Sequence, residues 1–86
     1  MFRMEHASHP AVVKRLKRAE GHLRSVIAMI EAGRSCVELA QQLHAVESAV
    51  TNAKRELIHD HIEHCLQGGD GAKHDLEELK QLARYL

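Results

Sequence analysis

The sequence predicts an all-α protomer of three helices, and three observations predict it. Apolar residues recur at alternating spacings of three and four over long stretches, which is the period of an amphipathic helix. Proline occurs once, at Pro10, so nothing interrupts those stretches. Aromatic residues make up only 2% of the chain, which leaves Leu, Val, Ile, Ala and Met as core material, a palette that suits helix packing. No segment reads as a strand, and no repeat is evident.

The first helix begins at Ser8-His9-Pro10, since proline is tolerated in a first turn whose N–H groups have no intrahelical partner. Val12, Leu16, Ala19, Leu23, Val26 and Ile30 then form its apolar stripe. Ala32-Gly33 ends it, because glycine accepts the left-handed conformation that closes many helices. Ser35-Cys36-Val37-Glu38 has the S-x-x-E form of a capping box, in which Ser35 and Glu38 each satisfy an orphan backbone donor of a second helix. Leu39, Leu43, Val46, Val50, Ala53 and Leu57 carry the rhythm onward, with Ile58, Ile62 and Leu66 in an adjacent stripe. With no Gly or Pro from 34 to 67, this is one long helix. "GGDG" at 68–71 is a short break, and Leu76, Leu79, Leu82, Ala83 and Leu86 lie on one face of a third helix. Residues 1–9 read as a flexible tail bearing histidines, and 10–86 as a single helical domain.

A chain of 86 residues buries too little surface to be comfortably stable alone, so self-association is expected. Two cysteines could form only one disulfide, far from the dense pattern of small secreted scaffolds; free thiolates in a reducing compartment, the cytoplasm, are expected. The N-terminus has no continuous apolar region, and no stretch approaches the roughly 20 apolar residues that cross a bilayer, so no membrane partner is expected. Net charge is zero, yet its distribution is uneven. Lys14, Arg15, Lys17, Arg18 and Arg24 stand against Glu20 near the front, whereas Glu56, Asp60, Glu63, Asp70, Asp75, Glu77 and Glu78 stand against Lys73 further on. Neither a substrate pocket of evident size nor a triad is discernible, so neither an enzyme nor a small-molecule substrate is expected.

"HDHIEHC" at 59–65 places three histidines and a cysteine within one short run. Residues four apart share a helix face, so His61 and Cys65 present an imidazole and a thiolate to one point. A transition metal wants at least one ligand more. The other cysteine, Cys36, opens the same helix and lies roughly 38 Å from His61 along the axis at about 1.5 Å per residue. One protomer cannot close such a site. An antiparallel partner can, giving two equivalent sites of Cys36 with His61 and Cys65 per dimer. Spacing alone does not separate a His-x-x-x-Cys pair from an incidental one, and Cys36 also reads as a small apolar residue. His22, His44, His59, His64 and His74 read as solvated or structural. His6 and His9 are either idle tail residues or mobile ligands that swing onto the same metal.

"RLKRAEGHLRSVIAMIE", "SCVELAQQLHAVESAV" and "HDHIEHC", in that order from about Val13 to Leu66, resemble the CsoR/RcnR family of bacterial metal-sensing and formaldehyde-sensing repressors. The resemblance implies an antiparallel dimer built on the long second helix, and a disc-like dimer of dimers, a homotetramer. Cys36, His61 and Cys65 match the family's three ligand positions. In copper sensors such a set resembles a Cu(I) site; Ni(II) and Co(II) sensors add a ligand near the N-terminus, a part for His6 or His9, although the family's own histidine falls nearer Met4. Glu78 resembles a glutamate that lies just outside the ligand set in the copper branch, whose tyrosine before the first cysteine is Ser35 here. Cys65 and Phe2 depart from the formaldehyde branch, which has a glutamate and a proline there.

Arg15, Arg18 and Lys54 or Arg55 match the family's DNA-contacting face, with Lys14 and Lys17 beside them. Such side chains contact phosphates and fix position more than sequence. The function implied is a cytoplasmic repressor. Its metal-free tetramer holds double-stranded operator DNA and lets go on binding Cu(I) or Ni(II)/Co(II), de-repressing metal efflux and homeostasis genes. The alternatives are a thiol, persulfide or formaldehyde sensor, with Cys36 and Cys65 bridging the dimer in the thiol case, or a metal buffer that does not bind DNA.

Overall fold

The computed structural model describes residues 9–68 and 72–86, with side-chain surroundings outside 67–75. The expected tail up to residue 8, with His6, and most of the GGDG break lie outside the described residues, as does the side chain of His74. Three helices follow in order: α1 His9–Glu31, α2 Cys36–Gly68 and α3 Ala72–Leu82, the last closing in a 3₁₀ turn at Ala83–Tyr85. Among the described residues there is no strand. His9, read from the sequence as the end of the tail, is the first residue of α1.

The helix ends follow from local chemistry. Gly33 has φ +78, and around it Gly33 N–H donates to Ile30 O at 3.1 Å and Arg34 N–H to Met29 O at 3.1 Å. This pair of bonds is the Schellman closure, which satisfies carbonyls the helix leaves open. At the start of α2, Glu38 N–H donates to Ser35 Oγ at 3.2 Å, the forward half of the capping box. The reciprocal half does not form. The Glu38 carboxylate pairs instead with Arg34, one turn back, because a guanidinium offers it a charged partner.

The tight turn folds α1 back along α2 as an antiparallel hairpin. The protomer is a rod of 55 × 26 × 18 Å whose long dimension is that of α2. Its seam is narrow. Val12, Ala19 and Val26 of α1 and Val46 and Ala53 of α2, one per heptad, are buried, and Ile58 is buried further along α2. Of the other members of the predicted stripes, Leu39 and Ile62 are half-buried, whereas Leu16, Leu23 and Ile30 on α1 and Leu43, Val50, Leu57 and Leu66 on α2 remain open to solvent. A single neighbouring helix covers one line of side chains, and these apolar stripes are wider than that line. On α3, Leu79 and Leu82 are half-buried while Leu76 and Leu86 are exposed.

Candidate metal centre and basic groove

The seam divides the hairpin into two unlike sides. On α1, Leu16, Leu23 and Ile30 follow the seam residues by four positions, and Arg15, His22 and Arg18 lie to its other side. Arg15, Arg18 and His22 meet Ala49 and Asn52 of α2 around one groove of about 290 Å³, with Ala19 in its floor. One side of the hairpin is therefore polar and basic. The opposite side exposes Leu16, Leu23, Ile27 and Ile30 beside Leu43, Val50 and Leu57.

Two polar contacts tie the helices together across the seam. Arg15 Nε lies 3.2 Å from Glu56 Oε2, with both side chains partly exposed. His22 Nε2 and Gln42 Oε1 are 2.6 Å apart and part-buried, so His22 is structural, in line with the sequence reading. Asn52, Glu56 and Gln42 were not evident in the sequence as partners of α1. Lys14 and Lys17 are exposed and border a shallow hollow with Pro10, Ala11 and Val13, away from the groove. Lys54 and Arg55 are both exposed but differ in place. Arg55 follows Asn52 by three residues and continues the groove side, whereas Lys54 follows Val50 by four and continues the apolar side.

The candidate ligands sit at the two ends of α2. Cys36 is its first residue and is exposed; Cys65, near the other end, is half-buried, and neither takes part in a disulfide. Four residues before Cys65, the side chain of His61 is only 12% exposed. Glu78 Oε1 of α3 lies 3.2 Å from His61 Nε2. That separation is an ion-pair distance between a nearly buried imidazole and a partly exposed carboxylate, without the geometry of a hydrogen bond. Among the described residues of one protomer, no three His, Cys, Asp or Glu side chains gather as a metal site. His61 and Cys65 share a face, and Cys36 is a helix length away. The Arg15–Glu56 contact fixes the hairpin register, and stepping back along α1 and forward along α2 from it brings His9 level with about Ile62. His44 is exposed, with Nδ1 3.7 Å from Glu47 Oε1, and His59 and His64 are exposed at the surface of α2.

A family model described as "Metal-sensitive transcriptional repressor" matches residues 8–85. The copper-sensing transcriptional repressor CsoR of Mycobacterium ulcerans is 44% identical over 55 residues, covering 64% of this chain and 47% of that protein. The chain thus spans about half of that relative's length. The protein of the same name from Bacillus subtilis is 39% identical over 78 residues, covering 86% of this chain and 77% of its own. Among solved structures, the nickel-responsive transcriptional regulator InrS superposes with a TM-score of 0.81 at 31% identity, covering 99% of this chain and 100% of that one.

Proposed function

Since the chain belongs to the family of metal-sensitive transcriptional repressors, a family of regulators rather than enzymes, we propose that its metal-free form binds operator DNA in the cytoplasm and that metal binding releases it. The observation that carries this reading is the placement of His61. Its ring is nearly buried, with the Glu78 carboxylate 3.2 Å from Nε2, and shares a helix face with the Cys65 thiol, while Cys36 lies at the other end of the rod. Cys36 of one protomer with His61 and Cys65 of an antiparallel second protomer completes a three-ligand site, twice per dimer. Two such dimers form the tetramer that holds double-stranded DNA.

Two thiolates and one imidazole suit Cu(I), the softest of the candidate ions, and Cu(I) is the effector we assign. The relatives named above as copper-sensing support that choice. A second reading takes Ni(II) or Co(II), with His9 or His6 as a further ligand. Its support is the hairpin register, which brings the start of α1 level with His61, and the nickel-responsive neighbour.

DNA meets the basic side of the hairpin: Arg15 and Arg18 at the groove and Arg55 continuing it, with Lys14 and Lys17 adding charge further out on α1; Lys54, on the apolar side, is set apart from this face. Metal and DNA weaken each other by the same factor, because coupling between two binding equilibria is reciprocal. A gel-retardation assay with promoter DNA tests the whole reading. The metal-free protein retards the DNA, and Cu(I) abolishes retardation. Replacing Arg15 and Arg18 together with Ala removes retardation while Cu(I) affinity is unchanged. A protein that binds Cu(I) but never DNA would be a buffer instead.

Glu78 carries its own prediction. Glu78→Gln keeps shape and removes the charge beside the His61 ring, so Cu(I) affinity falls by about 10- to 100-fold, as for other outer partners of ligating histidines. Competition against a Cu(I) chelator measures it.

A further inference from the structure

We propose that Glu56 sets the discrimination of the DNA face by competing with backbone phosphate for Arg15. The inference rests on the DNA-binding reading above and adds to it a repulsive element. The groove between α1 and α2 has alanines in its wall and floor, Ala19 and Ala49, so the surrounding Arg15, Arg18, His22 and Asn52 border a hollow rather than a filled seam. Glu56 reaches across from α2 to put Oε2 3.2 Å from Arg15 Nε. That contact takes one edge of the guanidinium and leaves its two Nη groups as the end onto which a phosphate can fork.

The carboxylate has opposite consequences for two kinds of DNA. Random sequence is held by net positive charge, through release of the counterions that DNA condenses, and a carboxylate beside Arg15 cancels much of what that residue offers. An operator holds its phosphates in register through its other contacts, so one of them can still be placed on the Nη fork. Glu56 therefore lowers affinity for random DNA more than for operator. Specificity is a difference of affinities, and a built-in repulsion raises it without a new attractive contact.

Fluorescence anisotropy against salt concentration tests this, with a random-sequence duplex and a duplex selected in vitro for tight binding. Glu56→Gln raises affinity for the random duplex about threefold to fivefold for each copy engaged, the range of an exposed ion pair. It also steepens the slope of log affinity against log salt by about 0.9 per copy, and the gain on the selected duplex is smaller. In an Arg15→Ala background the same substitution changes neither quantity. Unchanged or weaker binding of random DNA by Glu56→Gln would overturn the inference, as would an equal effect in the Arg15→Ala background. Should Glu56→Gln fold poorly by circular dichroism, Glu56→Ser removes the same charge and is judged by the same outcomes. If the unsubstituted protein binds neither duplex, the DNA reading fails and takes the inference with it; if it binds both and Glu56→Gln has no effect, only the inference falls.

Discussion

Val50→Asp yields a chain that neither self-associates nor holds Cu(I), although Cys36, His61 and Cys65 all remain in place. Leu43, Val50 and Leu57 repeat by sevens along α2 and are 44%, 47% and 38% exposed in the protomer. A contiguous open apolar surface of this kind marks an interface. If the start of one α2 lies beside the end of another, as a Cys36 site demands, Leu43 of each chain meets Leu57 of the other and Val50 meets its own copy. The stripe is its own antiparallel complement. Fully burying a side chain of this size stabilises by about 1.5–3 kcal/mol, and roughly half of that remains to be gained here. A carboxylate at position 50 removes two valines from the interface and sets two like charges face to face. The dimer weakens by about 3 kcal/mol or more, a hundredfold in association. Sedimentation equilibrium checks the mass, and Cu(I) titration checks the loss of a site whose ligands were not touched. A Val50→Asp protein that is still dimeric would place the interface elsewhere.

Cys36→Ala leaves the fold intact and removes Cu(I) control of DNA binding. Cys36 is exposed at the first turn of α2, where its truncation costs no more than about 0.5 kcal/mol, the usual range for surface substitutions. The metal loses one of three ligands. Since an outer hydrogen-bonding partner of a ligand is worth about 10- to 100-fold in affinity, a ligand itself is worth more than the upper end of that range. Promoter DNA then stays retarded at Cu(I) concentrations that release the unsubstituted protein. Cys65→Ala behaves in the same way for metal. Measuring thermal stability, Cu(I) affinity and DNA retardation on one preparation separates this outcome from misfolding.

Much of the fold was legible because the signals act over one or two turns. Pro10, Gly33 and Ser35 each dictate a backbone event at their own position, and both ends of α1 and the start of α2 fall within a residue or two of those marks. The reciprocal half of the capping box was not legible, because Arg34 competes for Glu38 and nothing in an S-x-x-E pattern reveals it. Apolar periodicity located the stripes but could not divide them: Val26 and Ile30 have the same spacing signature, yet one is buried by α2 and the other is open. Covering the second needs a surface outside the protomer. At the candidate site, the placement of His61 and Cys65 on one face and of Cys36 at the other end of α2 was legible from helix spacing alone. The Arg15–Glu56 and His22–Gln42 contacts were not, since each joins positions far apart in the chain and depends on the hairpin register.

The central claim is that the metal site is shared between protomers, and a mixed dimer tests it most directly. One chain carries Cys36→Ala and its partner Cys65→Ala, with different affinity tags so that only the mixed species is recovered. Each homodimer alone binds no Cu(I) tightly. In the mixed dimer, a shared site leaves one complete set, the partner's Cys36 with His61 and Cys65 of the first chain, so one Cu(I) per dimer is predicted at the affinity of the unsubstituted protein. No Cu(I) bound by the mixed dimer would mean that each chain builds its own site, and the account would be wrong.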